Sequence, residues 1–381
     1  MLTVERIDDA ARFAGMAGEW DALLRASAND RFFLTWEWLH TWWRHLAGRR
    51  RLFLLVARSG GELVALAPLA LAPPQLDRLL PFRSLQFLGA GTAGSDYLDL
   101  IVRPGWEDEA VRAFGGHLRA AGFMLELRQL RPDALAWRLA DVLGGGGWTN
   151  RRARTEVCPF VTLAGHSWES YLATLGSAHR YNVQRRLRNL SRACDVRFER
   201  VVTEEERGPA LARLIELHHA RWRGRGRSEF TPQTSFHQEL SRLALARGWL
   251  RLFELRVDGR PAAALYGFRY GDTFSFFQSG LDPAFAKHSV GLVTMGLAIK
   301  GAIEEGVAEY DFLHGDEDYK FRWAHATREL LRLELYPPAW RGRLCQHAVA
   351  LGRTSRGLAR RVLAANWARR PGGLRPFGSR A

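Results

Sequence analysis

Three local patterns occur twice along the chain in the same order, and this repetition limits the fold more than any other feature. The aromatic run TWEWLHTWWRH at 35–45, whose helix is expected over 36–45, is answered by ELHHARWRG at 216–224. The apolar runs 52–57 and 63–71 flank Gly60-Gly61, as 249–257 and 260–270 flank Asp258-Gly259; such dipeptides between alternating segments signal tight hairpins. An expected helix at 106–121 stops at Gly122 before a strand at 123–127, as a helix at 291–305 stops at Gly306 before a strand at 308–313. The offsets are 179 residues for Trp43 to Trp222, 198 for Gly61 to Gly259 and 184 for Gly122 to Gly306. A tandem duplication with unequal loops accounts for all three, and 381 residues suit two domains. The expected division is 1–150, 151–340 and a tail at 341–381, with the Gly144–Gly147 run as linker.

The second half shows its plan most openly. Strands are expected at 157–163 and 195–202, helices at 167–193 (capped by Ser167) and 203–222, and a helix from Pro232 to about Gly248. A three-strand meander follows, 249–257, 260–270 and 273–281, then the helix and strand already named and a late strand at 329–336. The fold class is therefore α/β with a mixed sheet in each half. Trp36, Trp38, Trp42 and Trp43 read as packing rather than as a ligand box.

Charge and cysteine usage bound the setting. Cys158, Cys194 and Cys345 lie far apart with no metal-ligand spacing, so neither zinc nor a disulfide framework is expected. The start of the chain carries early acids and no apolar signal core, and no run of 18 or more apolar residues exists, so a cytoplasmic protein is expected. The net charge of +15 is uneven: residues 341–381 hold ten arginines and no acid. Leu344, Ala348, Leu351, Ser355, Leu358, Val362 and Ala365 follow a 4-3-4-3 spacing there, a basic amphipathic helix that either docks on the body or lies on an anionic membrane surface.

The chemistry is expected between 278 and 323. Lys287, His288 and Ser289 precede a helix starting near Gly291, and a helix N-terminus offers free N–H groups to a phosphate. The first half has Pro104-Gly105 at the corresponding place. The stretch EYDFLHGDEDYKF at 309–321, followed by Arg322-Trp323, sets His314, Asp316, Tyr319 and Lys320 beside the carboxyl end of a strand, where acid–base chemistry needs them. In the basic helix at 179–192 the arginines spread around the axis, as on a solvated surface; Arg180, Asn182 and Arg185 are the residues that would hold donor phosphates or an acidic acceptor. Arg221 to Arg227 alternate with Gly224 and Gly226, either a lid or a flexible connection.

Taken in order, Leu217-His218 to Arg221-Trp222, Val257-Asp258-Gly259, Asp282, Ser289 to Gly291, Asp311-Phe312-Leu313 to Gly315-Asp316, Tyr319-Lys320 and Arg322-Trp323 resemble the CelD-like (cellulose-biosynthesis-type) branch of the GNAT acyltransferases. Trp36 to Trp43 and Ser95-Asp96-Tyr97-Leu98-Asp99 resemble it in the first half, so the likeness spans roughly 30–337. The tandem layout is also similar to Fem-type aminoacyltransferases. The resemblance implies two GNAT folds, with splayed strands at 273–281 and 308–313 that admit an acyl-CoA arm. The glycine-rich pyrophosphate loop of the family is degenerate here, with only Ser289 and Gly291 in its place.

The expected activity is transfer of an acyl group from acyl-CoA to an amine, a lipid or cell-envelope precursor among the possible acceptors. Positioning and oxyanion donors supply the catalysis, without a covalent intermediate. His314, Asp316, Tyr319, Lys320 and Arg322 are the expected catalytic residues, with His314 or Asp316 as base and Tyr319 as acid to the thiolate. Gln278, Ser279, Lys287, His288, Ser289 and Gly291 are expected to bind the donor, and Arg180, Asn182, Arg185, Trp222 and Asp282 the substrate. Two other readings stay open: transfer from aminoacyl-tRNA, and a non-catalytic GNAT-fold protein of polysaccharide assembly.

Overall fold

The computed structural model describes residues 2–74, 83–91, 93–222, 230, 233–338, 342, 344 and 346, without the side chains of 221 and 222. The amphipathic pattern expected in the tail and the arginine–glycine loop at 223–229 therefore lie outside the described residues, apart from 342, 344 and 346.

The first half runs β1 (Leu2–Ile7), α1 (Ala10–Gly15), α2 (Ala17–Ala26), α3 (Trp36–Leu46), β2 (Arg51–Ser59), β3 (Glu62–Leu71), β4 (Ser84–Phe87), β5 (Ile101–Val102), α4 (Glu107–Ala121), β6 (Met124–Leu130), α5 (Arg138–Gly144) and β7 (Thr149–Thr162). The second runs α6 (Trp168–Thr174), α7 (Ser177–Ala193), β8 (Val196–Arg200), α8 (Glu204–Trp222), α9 (Thr234–Ala246), β9 (Leu250–Val257), β10 (Arg260–Tyr270), β11 (Thr273–Leu281), α10 (Val290–Glu304), β12 (Glu309–Asp311), α11 (Asp318–Phe321) and β13 (Ala326–Tyr336).

Among the described residues thirteen strands form one sheet in the order β1-β2-β3-β4-β6-β13-β7-β12-β11-β10-β9-β8, with β5 beside β3. Counted inward from either edge the pattern is the same: three antiparallel pairs, the outermost joined across helices and the second by a tight hairpin, then a parallel pair, β4 with β6 and β11 with β12. The matched hairpins share their turn chemistry. Gly60 and Gly61 both have positive φ, as do Asp258 and Gly259, the backbone that a two-residue turn between twisted strands demands.

The centre of the sheet was not foreseen. The last strand of each half leaves its own half: β13 pairs with β6 of the first half, and β7 pairs with β12 of the second. The two exchanged strands also pair with each other, from Ala326↔Phe160 to Tyr336↔Thr149. The Gly144–Gly147 run is accordingly a turn between α5 and β7 inside a continuous sheet, not a spacer between separate units. The helix expected at 167–193 is broken at Leu175-Gly176 into α6 and α7, and α6 has the capping box that Ser167 signalled, closed by Ser170.

The aromatic helix α3 packs between the halves. Trp38 is fully buried, with Phe236, Phe268 and Phe277 of the second half at ring-centroid distances of 5.2, 6.3 and 5.7 Å. Its indole N–H donates to Ser95 Oγ at 2.8 Å, so the buried polar atom is satisfied. Phe32 stacks on Phe268 at 4.2 Å. Trp38 thus packs in the seam, while Trp42 is buried and Trp36 and Trp43 lie half-buried against the core, so all four serve as packing, as the sequence suggests.

Strand exchange makes a physical demand: neither half closes its sheet alone. Separate expression of 1–163 and 164–338 should give fragments without cooperative unfolding, whereas co-expression should give a complex that co-purifies. A cooperative thermal transition and a monomeric, well-dispersed NMR spectrum from 1–163 alone would contradict this.

Candidate active site

Two departures from regular pairing open the sheet at β11. Strands β11 and β12 are parallel neighbours only from Thr273↔Glu309 to Ser275↔Asp311, and then diverge. On the other side of β11, the register against β10 jumps from Tyr266↔Gln278 to Gly267↔Phe276, leaving Phe277 bulged out of the ladder. Glycines permit the tight approaches here. A Cβ on Gly267 would lie 2.5 Å from the Ser275 carbonyl oxygen, and one on Gly280 would lie 2.6 Å from the His218 backbone nitrogen, where α8 crosses β11.

Two cavities follow from this opening, and Tyr319 lines both. The first, of about 260 Å³, lies between 263–265 of β10, 279–281 of β11 and the start of α10, and is closed by His179, Arg322 and Trp323. Gly291 is on its wall, where a Cβ would already stand 3.1 Å from Leu281 Cδ2. Thr294 Oγ1 and His179 Nε2, also on the wall, lack hydrogen-bond partners in the protein. His179 sits edge-on to Trp323 at 4.7 Å, and burial lowers its pKa. The second cavity, of about 210 Å³, is lined by Gly94 of the first half, Phe230 and His237, 276–278 of β11, and His314, Glu317 and Lys320.

The polar wall of the second cavity is tightly bonded. Asp96, wholly buried in the first half, accepts the His314 backbone N–H at 2.9 Å and pairs with His314 Nδ1 at 2.8 Å. The Asp96 carboxylate pushes the His314 pKa up to about 9, against the opposing effect of burial. Lys320, 4% exposed, donates to the His314 carbonyl at 2.7 Å and pairs with Glu317 at 3.0 Å. Asp311 accepts from the Tyr97 hydroxyl at 2.7 Å and from the Leu313 N–H at 2.8 Å, while burial lifts its pKa to about 6. His237 is 1% exposed among aromatic rings, with both nitrogens unpartnered, and burial lowers its pKa to about 3.

The residues expected from sequence divide sharply. Ser279, Gly291, Tyr319 and Arg322 line the first cavity; Gln278, His314, Tyr319 and Lys320 line the second. Asp316 is exposed and lines neither. Lys287 and His288 lie on the short 3-10 turn before α10; the Lys287 carbonyl accepts from Arg186 at 2.8 Å, and Ser289 takes a left-handed φ of 55° to start the helix. Asp282 caps that turn through the Ala284 N–H at 2.9 Å. Arg180 donates to the Ala173 carbonyl at 3.3 Å and Arg185 to Asn182 at 3.1 Å, so these three engage their own neighbourhood and border neither cavity. The Trp222 side chain lies outside the described residues. The Ser279 N–H, of a residue expected to bind the donor, donates to the Gln278 side chain at 2.9 Å.

Sequence reasoning missed His237, Thr294 and His179 as lining groups and gave Asp96 no role. His237 sits in TSFHQELSRLALA, where its spacing reads as core; Asp96 is more than 200 residues from His314, and nothing local links them.

Comparison with known proteins agrees with this geometry. Residues 177–321, within the second half, match the family model of the acetyltransferase (GNAT) domain. The crystal structure of FemX is similar with a TM-score of 0.59 at 12% identity, covering 86% of this chain and 96% of that one. The C-terminal (DUF2156) domain of a putative lysylphosphatidylglycerol synthetase from Agrobacterium fabrum gives 0.55 at 13% identity over 90% and 95% of the chains. L-PGS from Bacillus licheniformis gives 0.52 at 12% identity over 88% and 95%. At these identities the likeness is one of fold, and the fold is that of two GNAT-like halves in tandem. No curated protein matches the sequence. Among the described residues, no helix is long and apolar enough to cross a membrane and no group of ligating side chains suits a metal ion.

The Asp96–His314 pair has a signed consequence for stability. Its folded pKa of about 9 lies above the ordinary histidine value near 6.5, so its contribution is complete below about pH 6.5 and is lost as pH rises through 9. Between pH 6.5 and 9.5 the wild type should therefore lose more melting temperature than His314→Gln. Parallel curves for the two proteins would disprove the coupling.

Proposed function

We propose that the protein is a GNAT-type acyltransferase that binds acyl-CoA in the cavity beside α10 and an amine in the cavity beside α9. The observation that carries this reading is the sharing of Tyr319: two separately lined cavities meet at one hydroxyl-bearing side chain, where a thioester and a nucleophile can touch. In the reaction the amine nitrogen bonds to the acyl carbon, the carbon–sulfur bond breaks, and the proton lost by the amine reaches the departing thiolate. Tyr319 is the relay for that proton. Arg322, at the mouth of the donor cavity, suits phosphate.

The donor belongs to the second half for two further reasons. Helix α10 has no acid in its first turn, whereas α4, its counterpart, begins Glu107, Asp108, Glu109. Carboxylates there occupy the positive end of the helix and repel a pyrophosphate. The first-half gap between β4 and β6 is also filled by its own chain, since the Leu98 N–H donates to the Gln129 carbonyl at 3.1 Å and Gln129 Nε2 to Asp96 at 3.1 Å.

The CelD-like assignment and a cell-envelope acceptor belong to the same proposal, acyl-CoA is its donor, and the boundary expected at 150 moves to the end of β7, which runs as one strand from Thr149 to Thr162. Mass spectrometry of molecules that co-purify with the protein separates CoA species from aminoacyl-tRNA.

Gly291→Trp should abolish acetyl-CoA binding by calorimetry while leaving the melting temperature within a few degrees; undiminished binding would remove the donor from this cavity. Tyr319→Phe should keep donor binding and lose turnover by about 10²–10⁴-fold, the usual cost of a positioned proton-transfer group. Parental acylation of an identified amine by Tyr319→Phe would end its role as relay.

A further inference from the structure

The proposed function places the donor in the second half, yet the first half reaches into a cavity there. Asp96 lies in the loop between β4 and β5, and its carboxylate receives three N–H groups: the His314 backbone, His314 Nδ1 and Gln129 Nε2. Cys158 Sγ is 3.8 Å away. A carboxylate with no exposure to solvent is costly unless paired, and the imidazole is the cationic partner in direct hydrogen-bond contact. Because both the backbone and the ring of His314 bond to one carboxylate, the ring is fixed in orientation and Nδ1 carries hydrogen. His314 lines the cavity, and Nε2 is the ring nitrogen that Asp96 leaves unengaged.

Two states of such a ring differ in what the cavity meets. A neutral ring offers a lone pair at Nε2 and acts as a base; a charged ring offers an N–H and acts as a donor. The groups around it are Asp96 from the first-half loop and Glu156 from β7, which favour the charge, and Lys320 from α11, which opposes it. Glu317 is bonded to Lys320 and offsets part of that opposition. Asp96 is in contact, and it outweighs the others.

We propose that Asp96 of the first half is a positioning residue that holds His314 as an imidazolium, so that His314 presents an N–H donor rather than a base to the ligand in the second-half cavity. The group it receives is an oxygen acceptor: the thioester carbonyl as it becomes an oxyanion, or a carboxylate of the acceptor. Assigning it to the carbonyl rests on the acyl-transfer reading, whereas the protonation state does not. The first half is thereby a working part of the site, supplying from outside the GNAT-matching segment the charge that sets His314.

Side-chain ¹⁵N NMR of histidine-labelled full-length protein tests this without donor or acceptor. The His314 signals are assigned by their loss in His314→Gln. In the wild type both ring nitrogens should show imidazolium shifts at pH 7.5, with titration near 9. In Asp96→Asn the titration should fall below the ordinary value near 6.5, because burial and Lys320 then outweigh the remaining Glu156 carboxylate. A wild-type His314 that is neutral at pH 7.5 overturns the proposal even if Asp96→Asn does not fold. An unchanged titration in a folded Asp96→Asn overturns it as well. Neither result bears on whether acyl-CoA binds beside α10, so failure here is distinct from failure of the acyltransferase reading.

Discussion

The exchange of β7 and β13 is the constraint on which the rest of the molecule depends. Each strand pairs antiparallel with the inner member of the opposite half's parallel pair, and their mutual pairing fuses the strands of both halves into one sheet. Fusion brings the carboxyl ends of β4, β6 and β12 into one neighbourhood. There the loop after β4 touches the second half, as Asp96 touches His314 and Tyr97 touches Asp311. The aromatic seam of Trp38, Phe32, Phe268 and Phe277 then holds the halves at one spacing, since close-packed interiors tolerate little sliding.

The two halves keep the same order of strands and have diverged in what fills the gap between them. In the second half, β11 and β12 part after Ser275 and Asp311, and a bulge at Phe277 turns the strand so that 276–278 and 279–281 border different cavities. In the first, the corresponding gap is bridged by backbone and by Gln129, and the following helix begins with three acids. On the proposed function, the same fold serves in one half to bind and in the other to brace.

Much of the fold was legible because its signals are local. Hairpins at Gly60-Gly61 and Asp258-Gly259, the cap at Ser167, and the stops at Gly122 and near Gly306 each rest on a few adjacent residues, and the structure places elements within a residue or two of them. The strand exchange was not legible, because pairing partners such as Leu331 and Leu130 are chosen by the whole sheet and leave no local mark. The site was legible in the same proportion. Gly291, Tyr319 and Lys320 announce themselves near a helix start and a strand end. Asp96 and His237 do not: one acts across the chain, and the other sits at an apolar helical spacing. The cluster of acids at 316–318 misled for a related reason, since sequence shows that charges are adjacent and not which way they face; Asp316 faces solvent.

The central claim is that the donor enters the second half alone, between the diverging strands and the start of α10. Hydrogen–deuterium exchange of the full chain with and without acetyl-CoA reads this directly. The account requires slowed exchange in peptides covering 263–265, 279–281 and 290–295, with the corresponding first-half segments 87–91 and 106–111 unchanged. Protection at 106–111, or none at 290–295 at saturating acetyl-CoA, would contradict it.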